Sequence, residues 1–542
     1  MGMSKLMKSL PFRLVLGVAI GIIAGLIANE SFMNLVVTLN YIFGQIISFC
    51  VPLIVIGFIA PSITKLGKNA SRLLGVALIL AYTSSLGAAL FSMAAGYTLI
   101  PHMSIQSAVD GLRSLPEVVF KLDIPPIMGV MSALVFSVMI GLAATWTKAV
   151  TVTKLLDEFQ KIVLEIVQKM ADLVANTFGV EEGKRMGMPG HQEIELALMK
   201  LYEETGKESY KELAKYFIDV RGCGNRNYFL EEMKQKDVKR IFPELNDYRP
   251  EYSQSHLPVR KQRTAEGHAV RAVYMYAAMA DIAAEYDDEE LLGACETLWN
   301  NMVHRRMYVT GGIGSSGILE RFTADYDLPN DYNYCESCAS IGLAFFARRM
   351  MQITKKAKYV EVMERALYNT VLAGIAMDGK SFFYVNPLEV WPPSCMERTS
   401  KEHVKSVRQK WFGVACCPAN ISRTLASLGE YIYACEKDTI YVNLFIGNET
   451  QITVGEQKVH LSLETDFPWK NQFKINVSGV KESVQLAVRI PEYAQDYKIF
   501  CEGREQFYKE KDGYAYITCE KNGRYEVQFV SEPRFVRANP KV

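Results

Sequence analysis

The chain has almost no net charge with which to attract a partner. Lys and Arg number 60 against 59 Asp and Glu, a formal charge of +1 over 542 residues. That balance excludes the basic footprint of a nucleic-acid binder. The 11 cysteines follow no regular spacing, which excludes a secreted disulfide scaffold, and no two-plus-two zinc ribbon is present. There is no internal repeat and no low-complexity tract. A Gly/Ser or Pro linker is also missing, although the chain changes character sharply: residues 12–146 are mostly apolar with few charges, and from about 181 onward the composition is ordinary globular.

What is there begins with four apolar stretches, 12–28, 39–59, 73–100 and 126–146. Each reaches the roughly 20 residues that a bilayer crossing needs. Lys5, Lys8 and Arg13 precede the first, Lys65, Lys68 and Arg72 lie between the second and third, and Lys148 and Lys154 follow the fourth. The positive-inside rule then predicts a multi-pass membrane protein with both ends of this block, and everything after it, on the cytoplasmic side. Lipid is the expected partner. Small residues such as those of SSLGAALFSMAAG let helices approach closely, so oligomerisation through the block is expected too. Almost no Asp, Glu or Lys lies inside the stretches, so no ion pathway is expected. Residues 155–170 repeat apolar positions at helical spacing and predict an amphipathic helix.

Beyond residue 192 the pattern predicts paired helices. EIELALMKLYEETGKESYKELAKYFIDVRG reads as two helices joined at Gly206, and two further pairs follow. From about Cys435 the alternation becomes two-residue, in KVHLSLE, QFKINVSG, VQLAVRI and YEVQFV, and predicts a β-sandwich.

Cys416 and Cys417 are adjacent in WFGVACCPANIS. Neighbouring Cα atoms lie about 3.8 Å apart, short of the roughly 4.4–6.8 Å of a disulfide. Together with the Glu-x-Cys of YCESCAS the pair suits a soft or borderline metal. Two small residues packed ahead of a helix explain the same spacing, and spacing alone leaves both readings open. On residue type alone, Glu320 reads as a helix-entry carboxylate, and His191 and His268 read as core or capping groups. Asp325, Asp327 and Asp331 hint at calcium, but Pro329 and the missing closing Glu argue against an EF-hand.

Two resemblances organise these readings. LPFRLVLGVAIGIIAGLIA, FCVPLIVIGFIAPSITKLGK and PPIMGVMSALVFSVMIGLA resemble the opening helices of the dicarboxylate/amino acid:cation symporter family, over about 8–169. That family's substrate-binding hairpins and its Asn-Met-Asp-Gly-Thr motif have no counterpart here, so insertion without transport is expected. MPGHQEIELALMKLY, RTAEGHAVRAVYM, TGGIGSSGILERFTADYDLPNDYNYCESCASIGL and WFGVACCPANISR resemble glycoside hydrolase family 127, over about 171–542.

The second resemblance implies an (α/α)6 barrel followed by a β-sandwich. It also implies retaining hydrolysis that releases β-L-arabinofuranose from small arabinosides or arabino-oligosaccharides. Carried over by position, zinc would be held by Glu336, Cys338, Cys416 and Cys417. Cys416 would be the nucleophile and Glu320 the acid/base, while His191, His268 and Tyr384 would line the sugar pocket. A thiol attacks as thiolate, which zinc favours, and Glu320 suits the acid role if burial raises its pKa. The resemblance enters the family after its first barrel helices and leaves before the end of its sandwich. The expected fold is therefore multidomain: an α-helical membrane bundle at 1–169, a partial (α/α)6 barrel at 171–434 and a partial β-sandwich at 435–542. The alternative reading is a symporter fragment without its transport domain.

Overall fold

The computed structural model describes residues 52–61 (save 54 and 59), 130–223 (save 148) and 248–542 (save 415). The chain divides into two compact units, Met1–Met186 and Gly187–Val542.

In the first unit, helix α1 (Val130–Thr147) is followed by α2 (Val150–Thr177). Here the structure corrects the expected membrane bundle, and with it the multi-pass location. No helix among the described residues is long and apolar enough to cross a membrane. The part of the predicted fourth span that the structure describes forms α1, which carries 18 residues. The predicted spans at 12–28 and 73–100, and most of the one at 39–59, lie outside the described residues. The amphipathic helix expected at 155–170 is found inside α2, which runs 28 residues without a break. The boundary expected near residue 170 thus falls in the middle of one helix. Apolar residues on that helix divide: Leu156 and Val163 are buried, while Leu155, Ile162, Ile166 and Met170 are exposed.

The second unit opens with a helical part. Helices α3 (Glu193–Thr205) and α4 (Glu208–Val220) pair through Gly206. This glycine takes the left-handed conformation at φ 69° and closes α3 with a 2.7 Å bond to the Tyr202 carbonyl, as a C-terminal glycine does. Helices α5 (Ala269–Glu285) and α6 (Glu289–Arg305) form the second pair, and α7 (Ser337–Thr354) and α8 (Ala357–Ala366) the third. The centre is α5 against α7, both buried along nearly their whole length. Their contact surfaces are rich in Ala and Gly: a Cβ added at Gly342 would meet Val273 Cγ2 at 2.4 Å. After a long loop come α9 (Cys416–Ala426) and the single turn α10 (Gly429–Ile432).

The switch to β structure falls where the alternation predicted it, at β1 (Tyr433–Glu436). One sheet has the order β1, β2 (Thr439–Val442), β6 (Val484–Arg489), β10 (Tyr514–Cys519), β9 (Lys509–Lys511), and the other β3 (Asn448–Val454), β4 (Gln457–Thr465), β5 (Gln472–Ser478), β11 (Gly523–Val530), β7 (Gln495–Cys501), β8 (Arg504–Glu505). Strand β4 (Gln457–Thr465) shows how sequence makes the sandwich: Val459, Leu461 and Leu463 are buried, while Lys458, His460 and Glu464 on the other face are exposed. They meet Ile440, Val442, Leu486, Val488 and Ile517 of the other sheet in one apolar core. Strands β3 (Asn448–Val454) and β7 (Gln495–Cys501) carry weaker alternation and were not foreseen.

Candidate active site and metal centre

Three separated segments build the site, and the backbone explains why they meet. The segment 334–336 runs as a strap between two others, with Cys335 in a left-handed conformation at φ 41°. On one side the Tyr334 and Cys335 amides both donate to the Gly314 carbonyl, at 3.2 and 2.9 Å. On the other, Glu336 bridges to Val385 and the Ser337 amide donates to the Tyr384 carbonyl at 2.9 Å. Gly312 makes the first approach feasible, since a Cβ there would lie 2.7 Å from Cys335 Sγ. The third segment, α9, starts at Cys416 and brings both cysteines of the pair to α7.

One ligand atom each of Glu336, Cys338, Cys416 and Cys417 lies within 4.8 Å of the others. Cys338 Sγ is 3.2 Å from Cys417 Sγ, and Glu336 Oε1 is 3.6 Å from Cys417 Sγ and 3.7 Å from Cys416 Sγ. Glu336, Cys338 and Cys417 are buried, while Cys416 is open to solvent. Glu336 Oε2 is buried without a hydrogen-bond partner, a state that costs free energy unless something else satisfies it. Three sulfurs, one carboxylate and an orphaned carboxylate oxygen fit a cation, so this buried cluster could hold a metal ion.

A second cluster shares Glu336: ligand atoms of His268, Glu320 and Glu336 also lie within 4.8 Å of one another. His268 caps α5, its Nδ1 accepting the Arg271 amide. Its Nε2 is thereby left to donate to Glu320 Oε2 at 2.7 Å. The other carboxylate oxygen, Oε1, accepts from the Tyr334 hydroxyl at 2.7 Å. Leu319 and Glu320 both take left-handed backbone angles, φ 58° and 52°, which non-glycine residues adopt at a cost. Tyr384 lies 3.3 Å from Cys416 Sγ. His191 completes the wall, its ring 6.3 Å from His268 and 6.1 Å from Tyr274. Behind it a fully buried Arg221–Glu195 pair (3.0 Å) and Gln192 both bind the Ser253 region and fix the His191 loop.

The charges in this pocket are unequal. Hydrogen bonds from Cys338 and then Cys417 hold the Cys416 thiol far below the ordinary cysteine range. Burial pushes Cys417 up, and its bond to Cys416 does the same for Cys338. Of the three sulfurs, these contacts favour the charged form at Cys416, while burial and Glu336 push the Tyr384 hydroxyl up. Burial raises Glu336 well above the carboxylate range, helped by the charges of Glu320 and Cys416. For Glu320 burial also raises, but the His268 and Tyr334 bonds outweigh it and the net direction is down. The rise expected from burial alone is thus reversed in the free site. Desolvation and then the Arg271 charge hold the His191 imidazole down to about 4, although part of the residue stays open to solvent.

All eight residues singled out from the sequence fall in this one region. Reading by motif missed Tyr334 and Asn420. Each sits inside a quoted motif, and Asn420 lies one helical turn beyond the cysteine pair.

Family models match on three stretches. The β-L-arabinofuranosidase GH127 catalytic domain matches residues 155–430, and the GH127 middle domain matches 439–531. The sodium:dicarboxylate symporter family matches 10–175, overlapping the first within α2. A curated non-reducing end β-L-arabinofuranosidase of Bifidobacterium longum is 40% identical over 389 residues, 70% of this chain and 58% of that protein. The crystal structure of a GH127 β-L-arabinofuranosidase from Geobacillus stearothermophilus T6 is similar with a TM-score of 0.66 and 45% identity, over 70% of this chain and 60% of that one. A further GH127 β-arabinofuranosidase structure gives 0.62 and 34%, over 77% and 63%. The chain therefore spans about three fifths of the length of these relatives.

Proposed function

The chain belongs to glycoside hydrolase family 127, and from that premise we propose that it hydrolyses terminal β-L-arabinofuranosides with retention, using Cys416 as nucleophile and Glu320 as acid/base. The observation that carries the reading is the convergence of two clusters on Glu336: one holds the charged sulfur and the other the hydrogen-bonded carboxylate. Retention needs such a pair, one group to attack and one to move a proton.

In the first step the Cys416 sulfur forms a bond to the anomeric carbon. The bond from that carbon to the leaving oxygen breaks, and the oxygen takes the proton of Glu320. In the second step Glu320, now a carboxylate, takes a proton from water whose oxygen bonds the same carbon, and the carbon–sulfur bond breaks. In the free site Glu320 is set for the second step, with its charge favoured by His268 and Tyr334. A sugar that displaces water adds to the desolvation already opposing that charge, and so moves Glu320 toward the protonated form the first step needs. His191, His268 and Tyr384 would bind the sugar hydroxyls.

The donor set of three thiols and one carboxylate suits zinc, held by Glu336, Cys338, Cys416 and Cys417. When bound, zinc would keep these thiols deprotonated at neutral pH.

The test is release of arabinose by the purified, zinc-loaded full chain from a β-L-arabinofuranoside, with the first-formed anomer read by NMR. The β anomer is expected first. Cys416→Ser should cut turnover about 10⁴-fold or more, the scale of losing a nucleophile. No release, or the α anomer first, would overturn the reading.

A further inference from the structure

One side chain beside the sulfur cluster has no part in the scheme above. Asn420 is buried, 7% exposed, on α9. Asparagine is a poor residue for a helix interior because its amide competes with the backbone. This amide turns inward instead. Its Nδ2 donates to Cys338 Sγ at 3.0 Å and to the Tyr274 hydroxyl oxygen at 2.7 Å. That hydroxyl also accepts from Arg423 Nη2 at 3.1 Å, and Arg423 reaches Glu193 at 2.8 Å, at the start of α3. The arginine lies over the Tyr274 and Phe345 rings, 5.8 and 5.3 Å from their centres. A chain of polar contacts therefore runs from the surface of α3 to one sulfur of the cluster.

Resting on the zinc reading above, we propose that Asn420 is a positioning residue for Cys338, its amide fixing that sulfur as a spectator ligand so that Cys416 alone attacks. A hydrogen bond to a thiolate draws electron density from the sulfur and fixes the direction of its remaining lone pairs. Cys338 receives such a bond from an amide that cannot give up its proton. Cys416 receives its contact from Tyr384, on the solvent-open side of the cluster. Three sulfurs of one kind are thereby made unequal by their neighbours. Tyr274 and Arg423 serve to hold the amide in place.

The experiment uses the full chain, titrated with Zn²⁺ against a chromophoric chelator and separately loaded with Co²⁺, so that neither readout depends on turnover. Asn420→Leu keeps the shape and removes the donor. It should weaken zinc binding about 10- to 100-fold, the usual scale for groups behind a metal ligand, and move the sulfur-to-cobalt charge-transfer band to lower energy. Tyr274→Phe should shift both readouts the same way by less, and it decides the matter if Asn420→Leu does not fold by circular dichroism. A chain that binds zinc with unchanged affinity and an unchanged band in these variants overturns this inference while leaving the zinc reading standing. A wild-type chain that binds no zinc overturns both.

Discussion

The helical part and the sandwich of the second unit use buried polarity in opposite ways. The sandwich core is built from Val, Leu, Ile and Phe on alternating positions, and its strands leave most of their polar side chains outside. The helical part buries Glu336, His268, Asn420, Glu195 and Arg221, each of which costs free energy unless satisfied. Most are satisfied by named partners. Glu336 Oε2, Glu195 Oε2 and Arg221 Nε are exceptions, and of these Glu336 Oε2 belongs to the sulfur cluster. A fold tolerates such a group where something other than packing selects for it. The difference locates chemistry in one part and support in the other.

The largest effect expected to sharpen that contrast is on Glu320. Glu320→Gln keeps the bond from Tyr334 and loses proton transfer. It should lower kcat by about 10²–10⁴-fold, with a smaller loss for an aryl arabinoside whose leaving group needs no proton. The midpoint of thermal unfolding should hardly move. Equal losses on both substrates would remove Glu320 from the acid role.

The two parts also differ in how far they were legible. The sandwich showed in two-residue alternation, because one face of each strand meets the core and the other meets water. Its start near 435 and strands such as β4 and β11 (Gly523–Val530) were readable on that ground. The helix pair at Gly206 was readable from its period and its glycine. The membrane bundle was misjudged because run length measures only apolar content, and no helix among the described residues is long and apolar enough to cross a membrane. The site had no period at all. Cys416 and Glu336 are 80 positions apart; residue type left their joining open, and only the resemblance gave them roles. Tyr334, Asn420 and the left-handed backbone at Glu320 stayed invisible because their meaning lies in distances: 2.7 Å to a carboxylate and 3.0 Å to a sulfur.

One ionic group breaks the contrast, and it sits where the two parts touch. Arg489 of β6 (Val484–Arg489) is wholly buried. It binds Glu361 at 2.7 Å, also pairs with Glu364, both of α8, and donates to the Asn443 carbonyl at 2.7 Å. Arg489→Leu would strand two buried carboxylates. It should cost about 3–5 kcal/mol of unfolding free energy, the range for removing one partner of a buried ion pair, read from denaturant midpoints. Adding Glu361→Gln and Glu364→Gln should recover part of that loss, because the stranded charge rather than the missing arginine does the damage. If the triple variant is no better than the single one, packing of the arginine stem is what matters.

The smallest effect tests whether ionic anchoring also steadies the loop that carries Glu320. Asp325 ties that loop to the end of α6, accepting from Arg306 Nε at 2.7 Å and from Arg305 Nη1 and Asn301 Nδ2 at 3.0 Å. Burial opposes its charge, but Arg306, Arg305 and Asn301 outweigh it and hold the carboxyl at about 2, below its ordinary 3.8. A lowered carboxyl stabilises the fold wherever the group is ionised in both states. That contribution is complete above about pH 4 and is lost as pH falls from 3.8 towards 2, where the unfolded chain binds the proton first. The side chain is 25% exposed, so solvent screening leaves about 1 kcal/mol at neutral pH. Asp325→Asn should therefore be less stable than wild type by about that much at pH 7, and the gap should close progressively below pH 4. A gap that persists undiminished at pH 2 would mean that the carboxylate charge is not what anchors the loop.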